Sequence, residues 1–350
     1  MPKYLNVHTP LIRGVRRVAL ALALLPITLV AYAQSASNLL APPRAAASVD
    51  AASAASAIPA TSAAPVSPVS PVSPVAPPAA DVTGDAATVD AEVAKLAAMP
   101  AAAQAEWLSR TIKGGEWVKL SDARIVAHMR VIQADALVRF LKAESAALPE
   151  YQYELTRHER INNQWQTTPD RMLVKIRETP RQIYVKWLPG GAHAGQEILY
   201  DETKRPKEMY GHLGGIFGFV SIWSRIDGTL ARSQSNHTVR DLGFAFIAEQ
   251  IAHDGRSFRA AGLPETPARI SVSESNGVRV LALEWDAPAG PPQHYAYKSR
   301  VLLDLKTGLP RGIEAWDAAG QKLEEMRFEK VRKASWTDAT FDPKNPDYKF

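Results

Sequence analysis

The sequence predicts an α+β fold: a strongly curved antiparallel sheet, an open half-barrel of about ten strands, with helices covering its concave side. Within residues 171–187, apolar and polar residues alternate with a period of two, which is typical of a sheet with unlike faces. Further strand-like segments follow across short turns, and Asn276 with Gly277 is a strong hairpin signal. No strand–helix–strand rhythm indicates a parallel sheet.

An apolar helix inserted in this meander predicts how the sheet is covered. Thr238 is a candidate N-cap, with Asp241 at the capping-box position, for a helix that reaches about residue 253. Residues 211–223 before it are apolar, aromatic and glycine-rich, which fits either a mobile loop that contacts a ligand or a loop buried under the sheet. A sheet curled around such a helix encloses an apolar cavity.

The first 33 residues have the form of a secretory signal. Four basic residues precede an apolar run at residues 18–30, and Ala31, Tyr32 and Ala33 give the small-x-small cleavage pattern. The run of about 13 apolar residues is shorter than the roughly 20 that span a bilayer. We expect cleavage after Ala33, a periplasmic product and no remaining transmembrane anchor.

Composition excludes several classes of protein. The chain has 41 basic and 36 acidic residues, and removing the four basic residues of the signal leaves 37 against 36. Nucleic-acid binding, which needs a clustered basic surface, is therefore not expected. The sequence contains no cysteine, which excludes disulfides, a lipidated N-terminus and a cysteine nucleophile.

Composition also predicts the domain boundaries. Residues 34–98 are rich in Ala, Pro and Ser, with a proline every third position from Pro65 to Pro74, and are predicted to form a disordered linker. This linker is either a semi-rigid spacer or a disordered leader without a function of its own. Residues 99–146 are predicted to be helical, with a second helix capped by Ser121 and reaching about residue 145. Residues 147–350 form the predicted half-barrel domain.

Several short motifs resemble one bacterial family. The matching positions are Lys175, Arg177, Pro180, residues 184–187, residues 195–197, Tyr200, His212 and the ending at residues 341–350. Together they resemble the DUF1571 family of exported proteins over about residues 145–350. That family is similar to the half-barrel proteins typified by the lipoprotein carrier LolA. The resemblance implies binding of acyl chains or lipids, without chemistry, inside a bent sheet.

The predicted ligand site combines a basic rim with apolar groups. Lys175, Arg177 and Lys186 would hold an anionic head group by charge-assisted hydrogen bonds. Acyl chains would meet Trp187, Ile216, Phe217, Phe219 and Trp223, although Trp187 fits ordinary core packing equally well. The predicted set also includes Tyr184, Glu197, Tyr200 and His212, and Glu197 beside the basic residues is equally consistent with a structural ion pair.

Motifs typical of enzymes are not found. The sequence has no Gly-x-Ser-x-Gly elbow and no phosphate-binding glycine loop. No two of the eight histidines stand at the spacing of a compact zinc site. His212 with Ser221, Ser224 and Asp227 could be arranged as a triad, but nothing in their spacing indicates one. We expect no catalytic residue, cofactor or metal.

Three functional hypotheses follow. The first is a periplasmic, non-catalytic binding protein for a lipid or lipidated protein, acting in lipid or lipoprotein handling in the outer envelope. The second is a protein-interaction or envelope-stress sensor module with envelope proteins as partners. The third is a hydrolase with an unfamiliar site around Glu197 and His212.

Overall fold

The computed structural model describes residues 83–215, 218, 220–287 and 296–350. The predicted signal sequence and the proline repeat lie outside the described residues, as do Ile216, Phe217 and Phe219. Among the helices described below, none combines the length and apolarity that a bilayer-spanning segment requires.

Among the described residues, four helices precede the first strand, and two lie between strands of the sheet along the chain. They are α1 (Thr83–Ala97), α2 (Ala101–Lys113), α3 (Asp122–Arg130), α4 (Ala134–Ala146), α5 (Thr229–Arg232) and α6 (Phe244–Ala260). Helix α1 lies inside the segment predicted to be a disordered linker, and its Leu96 joins the main core. That prediction is therefore wrong for residues 83–97, where alanine-rich composition favours a helix and Leu96 ties it to the core.

Two predicted helices have different limits in the structure. The Ser121 cap is confirmed, since its Oγ accepts a hydrogen bond from the Arg124 N–H, but the predicted helix is split into α3 and α4. The capping box of Thr238 and Asp241 is also present, but it opens only a 3₁₀ turn. Gly243 then has φ +100°, which is not helical, so α6 begins only at Phe244. Glycine fits this position because a Cβ there would lie 2.5 Å from the Tyr151 hydroxyl.

The sheet has twelve strands among the described residues. They are β1 (Glu150–Ile161), β2 (Gln164–Trp165), β3 (Asp170–Arg177), β4 (Gln182–Trp187), β5 (Glu197–Asp201), β6 (Glu208–His212), β7 (Ile222–Arg225), β8 (Arg269–Ser275), β9 (Val278–Asp286), β10 (Lys298–Asp304), β11 (Pro310–Trp316) and β12 (Lys322–Lys333).

All neighbouring strands of the sheet are antiparallel. The order is β7-β6-β5-β4-β3-β1-β12-β11-β10-β9-β8, with β2 paired to β1, so β7 and β8 are the two edges of an open sheet. Asn276 and Gly277 form the predicted hairpin turn, both with positive φ. The predicted fold class is confirmed. The short strands β2 and β7 were not predicted, and β7 begins at the end of the glycine-rich segment, where no clear alternation is visible.

The helices cover one face of the sheet, which we call the inner face. Phe244 of α6 lies 5.3 Å from the Tyr151 ring and 5.6 Å from the rings of Tyr153 and Phe328, at the centre of the sheet. Further along α6, Phe258 lies beside Trp285 on the β8 side. The described helices and strands share one continuous apolar core on this face.

Candidate functional site

Strand pairing divides the predicted site residues between two faces. Met172, Val174 and Ile176 of β3 are buried in the core on the inner face. Lys175 and Arg177 alternate with them and therefore face outward, away from the helices. The cross-strand pairs place Tyr184, Lys186, Glu197 and His212 on this outer face, and Trp187 and Tyr200 on the inner face.

The outer face of β3–β6 is covered by residues 334–350, the C-terminal segment. Phe341 of this segment is fully buried against Tyr184 and Leu199, and Trp336, Tyr348 and Phe350 pack around it. The Tyr348 ring stacks on Tyr184 with 3.9 Å between the centroids. The two parts of the chain that carry the family resemblance, the strand motifs and the ending, therefore contact each other.

Lys175 lies inside this contact. Its Nζ is 5.1 Å from the Tyr184 ring centroid, 5.5 Å from that of Trp336 and 5.3 Å from that of Tyr348. Burial lowers the pKa of the Lys175 ammonium, with the like charge of Lys186 acting in the same direction. The ammonium is enclosed by the protein's own aromatic rings.

Arg177 fastens the same segment to the sheet. Its guanidinium donates to Glu150 Oε1 at 2.7 Å, to Asp338 Oδ1 at 2.9 Å and to the Trp336 carbonyl at 2.6 Å. A further N–H donates to Gln182 at 2.8 Å. The guanidinium is thus engaged within the protein.

Glu197 is buried beneath the end of the C-terminal segment. Its Oε1 lies 3.1 Å from the Lys186 Nζ, and its Oε2 accepts a hydrogen bond from the Lys349 backbone N–H at 3.1 Å. Burial and the Glu197 carboxylate raise the pKa of Tyr184. His212 is the cross-strand neighbour of Glu197 in the β5–β6 register, and its ring centroid lies 5.8 Å from that of Phe350. Glu197 is therefore engaged by Lys186 and by the C-terminal segment, and His212 packs beside the last residue of that segment.

This arrangement divides the predicted ligand-site residues between the two faces of the sheet. Lys175, Arg177 and Lys186 lie on the outer face. Trp187 lies on the opposite face, so it does not share a surface with the three basic residues. Trp187 lies on the inner face, where its indole N–H donates to Asp170 at 2.9 Å. Tyr200 is buried on the same face and donates to the Pro206 carbonyl at 3.2 Å. The cause is the strict alternation of side chains in a strand.

The inner face has an apolar cavity of about 260 Å³ at the β7 edge, which we call the inner hollow. It lies between strands β5–β7 and helix α5. Its lining is mainly aliphatic: Ile198, Met209, Gly211, Leu213, Val220, Ile222, Leu230 and Ala231, with Gln196, His212, Ser224 and Gln234 as polar members. A smaller cavity of about 50 Å³ adjoins it and shares Ile198, Met209, Ala231 and Gln234.

Exposed apolar side chains surround the opening of the inner hollow. Val220 is 51% exposed, Ile222 is 49% exposed and Leu230 is 40% exposed. Apolar groups concentrated around an apolar cavity indicate a surface that binds other apolar groups. Trp223 faces the other side of β7, where the Arg205 guanidinium lies 4.3 Å from its ring centroid. Trp223 is therefore on the outer face, away from the predicted acyl-chain site.

Comparison with known proteins identifies the family. The family model described as "Protein of unknown function (DUF1571)" matches residues 148–350. The chain belongs to the DUF1571 family. The family prediction is therefore confirmed. A search of curated proteins found no match.

Solved structures similar to the DUF1571 chain come from several bacteria. An uncharacterized conserved protein from Thermus thermophilus is 12% identical, with a TM-score of 0.34, over 59% of this chain and 93% of that chain. The MucA/MucB complex from Pseudomonas aeruginosa is 16% identical, with a TM-score of 0.32, over 60% of this chain and 60% of that chain. A LolA superfamily protein from Nitrosomonas europaea is 8% identical, with a TM-score of 0.26, over 59% of this chain and 97% of that chain.

The DUF1571 domain also contains a buried charged cluster that was not predicted. Arg157 lies 3.0 Å from Glu159 and 2.8 Å from Asp170, and His237 lies 2.6 Å from Glu324. The pattern of β1 contained the signal, because Arg157 and Glu159 continue the inward-facing positions of Tyr151, Tyr153 and Leu155. Charged residues at inward positions of a strand indicate a buried ion pair.

Three groups of this cluster could together hold a metal ion. One ligand atom each from Glu159, His237 and Glu324 lies within 4.8 Å of the others. The Arg157 guanidinium already neutralises Glu159, however, and His237 already pairs with Glu324. We therefore assign the cluster a structural role: its charges are paired with one another inside the DUF1571 domain.

Proposed function

We propose that this protein is a non-catalytic periplasmic protein that binds the acyl chain of a lipid or lipidated protein in the inner hollow. The observation that carries the proposal is the aliphatic cavity with an opening formed by exposed Val220, Ile222 and Leu230. An apolar cavity binds apolar ligands because burial removes hydrocarbon from water. The secretory signal predicted from residues 1–33 supports the periplasmic location.

The test begins with the full-length protein expressed for export in a Gram-negative host. Organic extraction and mass spectrometry of the purified protein are expected to recover a hydrocarbon ligand. Dodecyl maltoside below its micellar concentration is expected to raise the unfolding temperature, because a ligand that binds only the folded state stabilises it. A clean extract together with an unchanged unfolding temperature would overturn the proposal.

A matched pair of variants locates the binding. Ile222→Glu places a carboxylate at the opening of the hollow and is expected to weaken dodecyl maltoside binding at least tenfold. Val118→Glu makes the same kind of change at a residue of similar exposure (41%) outside the hollow and is expected to leave binding unchanged. Equal weakening by both variants would mean that the detergent binds elsewhere.

A second candidate function rests on the β7 edge. β7 pairs with β6 on one side only, and Ile222 and Trp223 are exposed there. An extended partner segment could add to such an edge by backbone hydrogen bonds. If the protein acts as an interaction or envelope-stress sensor module, Trp223→Ala is expected to abolish capture of an envelope protein from a membrane extract. Dodecyl maltoside binding is expected to persist in the same variant.

A further inference from the structure

A second recess lies at the other end of β6 and β7. Its volume is about 500 Å³, and it is open to solvent. Cationic side chains outnumber carboxylates two to one in its lining, which comprises Arg181, Lys207, Arg225 and Arg240, the acidic Asp227 and Asp241, and also Pro206, Ile226 and Thr238. We call it the cationic recess.

The carboxylates of the cationic recess are already engaged. Asp227 accepts two hydrogen bonds from Arg225, both at 3.0 Å, and Asp241 accepts from the Thr238 backbone N–H at 2.7 Å. Arg181 pairs with Glu178. Lys207 and Arg240 are exposed, and among the described residues neither side chain has a carboxylate partner. The recess therefore presents two uncompensated cations.

The cationic recess adjoins the smaller apolar cavity, which in turn adjoins the inner hollow. Thr238 lines both the recess and the smaller cavity, and Met209 lines both the smaller cavity and the inner hollow. The β6–β7 pairing extends to a hydrogen bond from the Ile226 N–H to the Lys207 carbonyl at 3.1 Å. From Lys207 to Gly211 the strand advances roughly 13 Å, at 3.3 Å per residue. One end of this path is cationic and the other is apolar.

We infer that the cationic recess binds the anionic head group of the same amphiphile whose chain occupies the inner hollow. The inference rests on the proposed function and specifies its ligand class: a single-chain amphiphile, or one chain of a larger lipid, with a phosphate or carboxylate at one end. Lys207 and Arg240 supply charge-assisted hydrogen bonds to that group. These residues take the role that the sequence assigned to Lys175, Arg177 and Lys186.

The test compares three probes by calorimetry on the full-length protein: dodecyl phosphate, the neutral dodecyl maltoside and inorganic phosphate. We expect dodecyl phosphate to bind roughly tenfold more tightly than dodecyl maltoside, since only the former engages the two cations. In the double variant Lys207→Gln with Arg240→Gln, dodecyl phosphate is expected to bind only as tightly as the neutral detergent, whose affinity is unchanged.

The control variant removes the same charge elsewhere. Lys119→Gln with Arg130→Gln removes two exposed cations of the helical region, away from the recess. This variant is expected to keep the preference for dodecyl phosphate. If it loses the preference equally, the effect is one of net charge, and the inference is overturned.

The remaining outcomes separate the two proposals. If both detergents bind equally to the native protein, the head-group inference fails and the proposed function stands. If neither detergent binds, the proposed function fails, and the inference fails with it. If inorganic phosphate binds as tightly as dodecyl phosphate and the Lys207 and Arg240 variant removes both, the recess is a free-anion site, and the inference is overturned.

Discussion

The two faces of strands β3–β6 differ both in polarity and in whether they leave room for a ligand. The outer face has the polar and basic residues, yet the C-terminal segment covers it, and Phe341 and Glu197 are fully buried there. The inner face is apolar and belongs to the core, yet it retains a cavity of about 260 Å³ near its edge. Polarity along a strand therefore predicts which face a residue occupies, and it does not predict whether that face is open to a ligand.

The charged groups of the outer face have intramolecular partners. Arg177 bonds to the Trp336 carbonyl, and Glu197 accepts from the Lys349 N–H. A ligand head group would have to displace these contacts as well as the packed rings of Tyr348 and Phe350. On the inner side, by contrast, Lys207 and Arg240 require no displacement. The two faces can be distinguished by substitutions that remove comparable groups from each.

The largest effect is expected for Phe341→Ala on the outer face. Phe341 is fully buried, and the Arg177 guanidinium lies 5.3 Å from its ring centroid. Removing a buried phenylalanine costs about 3–5 kcal/mol in the free energy of unfolding, because packing contacts are lost and a cavity remains. Urea denaturation measures this loss. A loss below about 1 kcal/mol would mean that the C-terminal segment does not cover the sheet in solution.

Arg177→Met on the outer face is expected to lower the free energy of unfolding by about 2–3 kcal/mol. The reason is that hydrogen bonds to charged groups are lost and a half-buried carboxylate is left without its cation. Glu150 is the group affected, and the Trp336 carbonyl loses its donor. The same variant is expected to increase proteolytic cleavage near residue 334. Unchanged stability together with unchanged cleavage would contradict the role of Arg177 in holding the segment.

Much of the architecture could be predicted from the sequence because it depends on local patterns. The alternation in β3 and β4 fixed the inner positions of Val174, Val185 and Trp187, all of which are buried. The Asn276 and Gly277 turn follows from their tolerance of positive φ. These signals lie within a few residues of the feature they specify.

The site could not be predicted in the same way because it depends on contacts between distant parts of the chain. Nothing near Lys175 indicates that Trp336 and Tyr348 enclose it, more than 150 residues later. β7 has only four residues and follows a glycine-rich segment, so its alternation is too short to recognise. The opening of the hollow, at Ile222, was missed with it.

Stability is expected to depend on pH through His237 in the buried charged cluster. Burial would lower its pKa, but the carboxylates of Glu324, Glu159 and Asp241 outweigh burial and raise it above the ordinary value of about 6.5. A raised pKa stabilises the fold below pH 6.5, and this contribution is lost as the pH rises through the folded-state value. One group changes stability by at most about 1.4 kcal/mol per pH unit.

Urea denaturation between pH 6 and 8.5 measures this dependence in the native protein and in His237→Gln. The native protein is expected to lose stability relative to the variant as the pH rises, because only the native protein has the ionisable imidazole beside Glu324. Parallel curves would show that the His237 proton does not couple to folding.

The smallest effect on stability is expected for Ile222→Ala at the opening of the inner hollow. Ile222 is 49% exposed and lies on an edge strand, so its truncation removes few packing contacts and is expected to cost less than about 0.5 kcal/mol. The same truncation removes hydrocarbon from the lining of the hollow and should weaken dodecyl maltoside binding severalfold. An open apolar site requires residues that contribute to binding and contribute little to folding. A stability loss near that of Phe341→Ala would show that Ile222 belongs to the packed core and that the hollow is not open to a ligand.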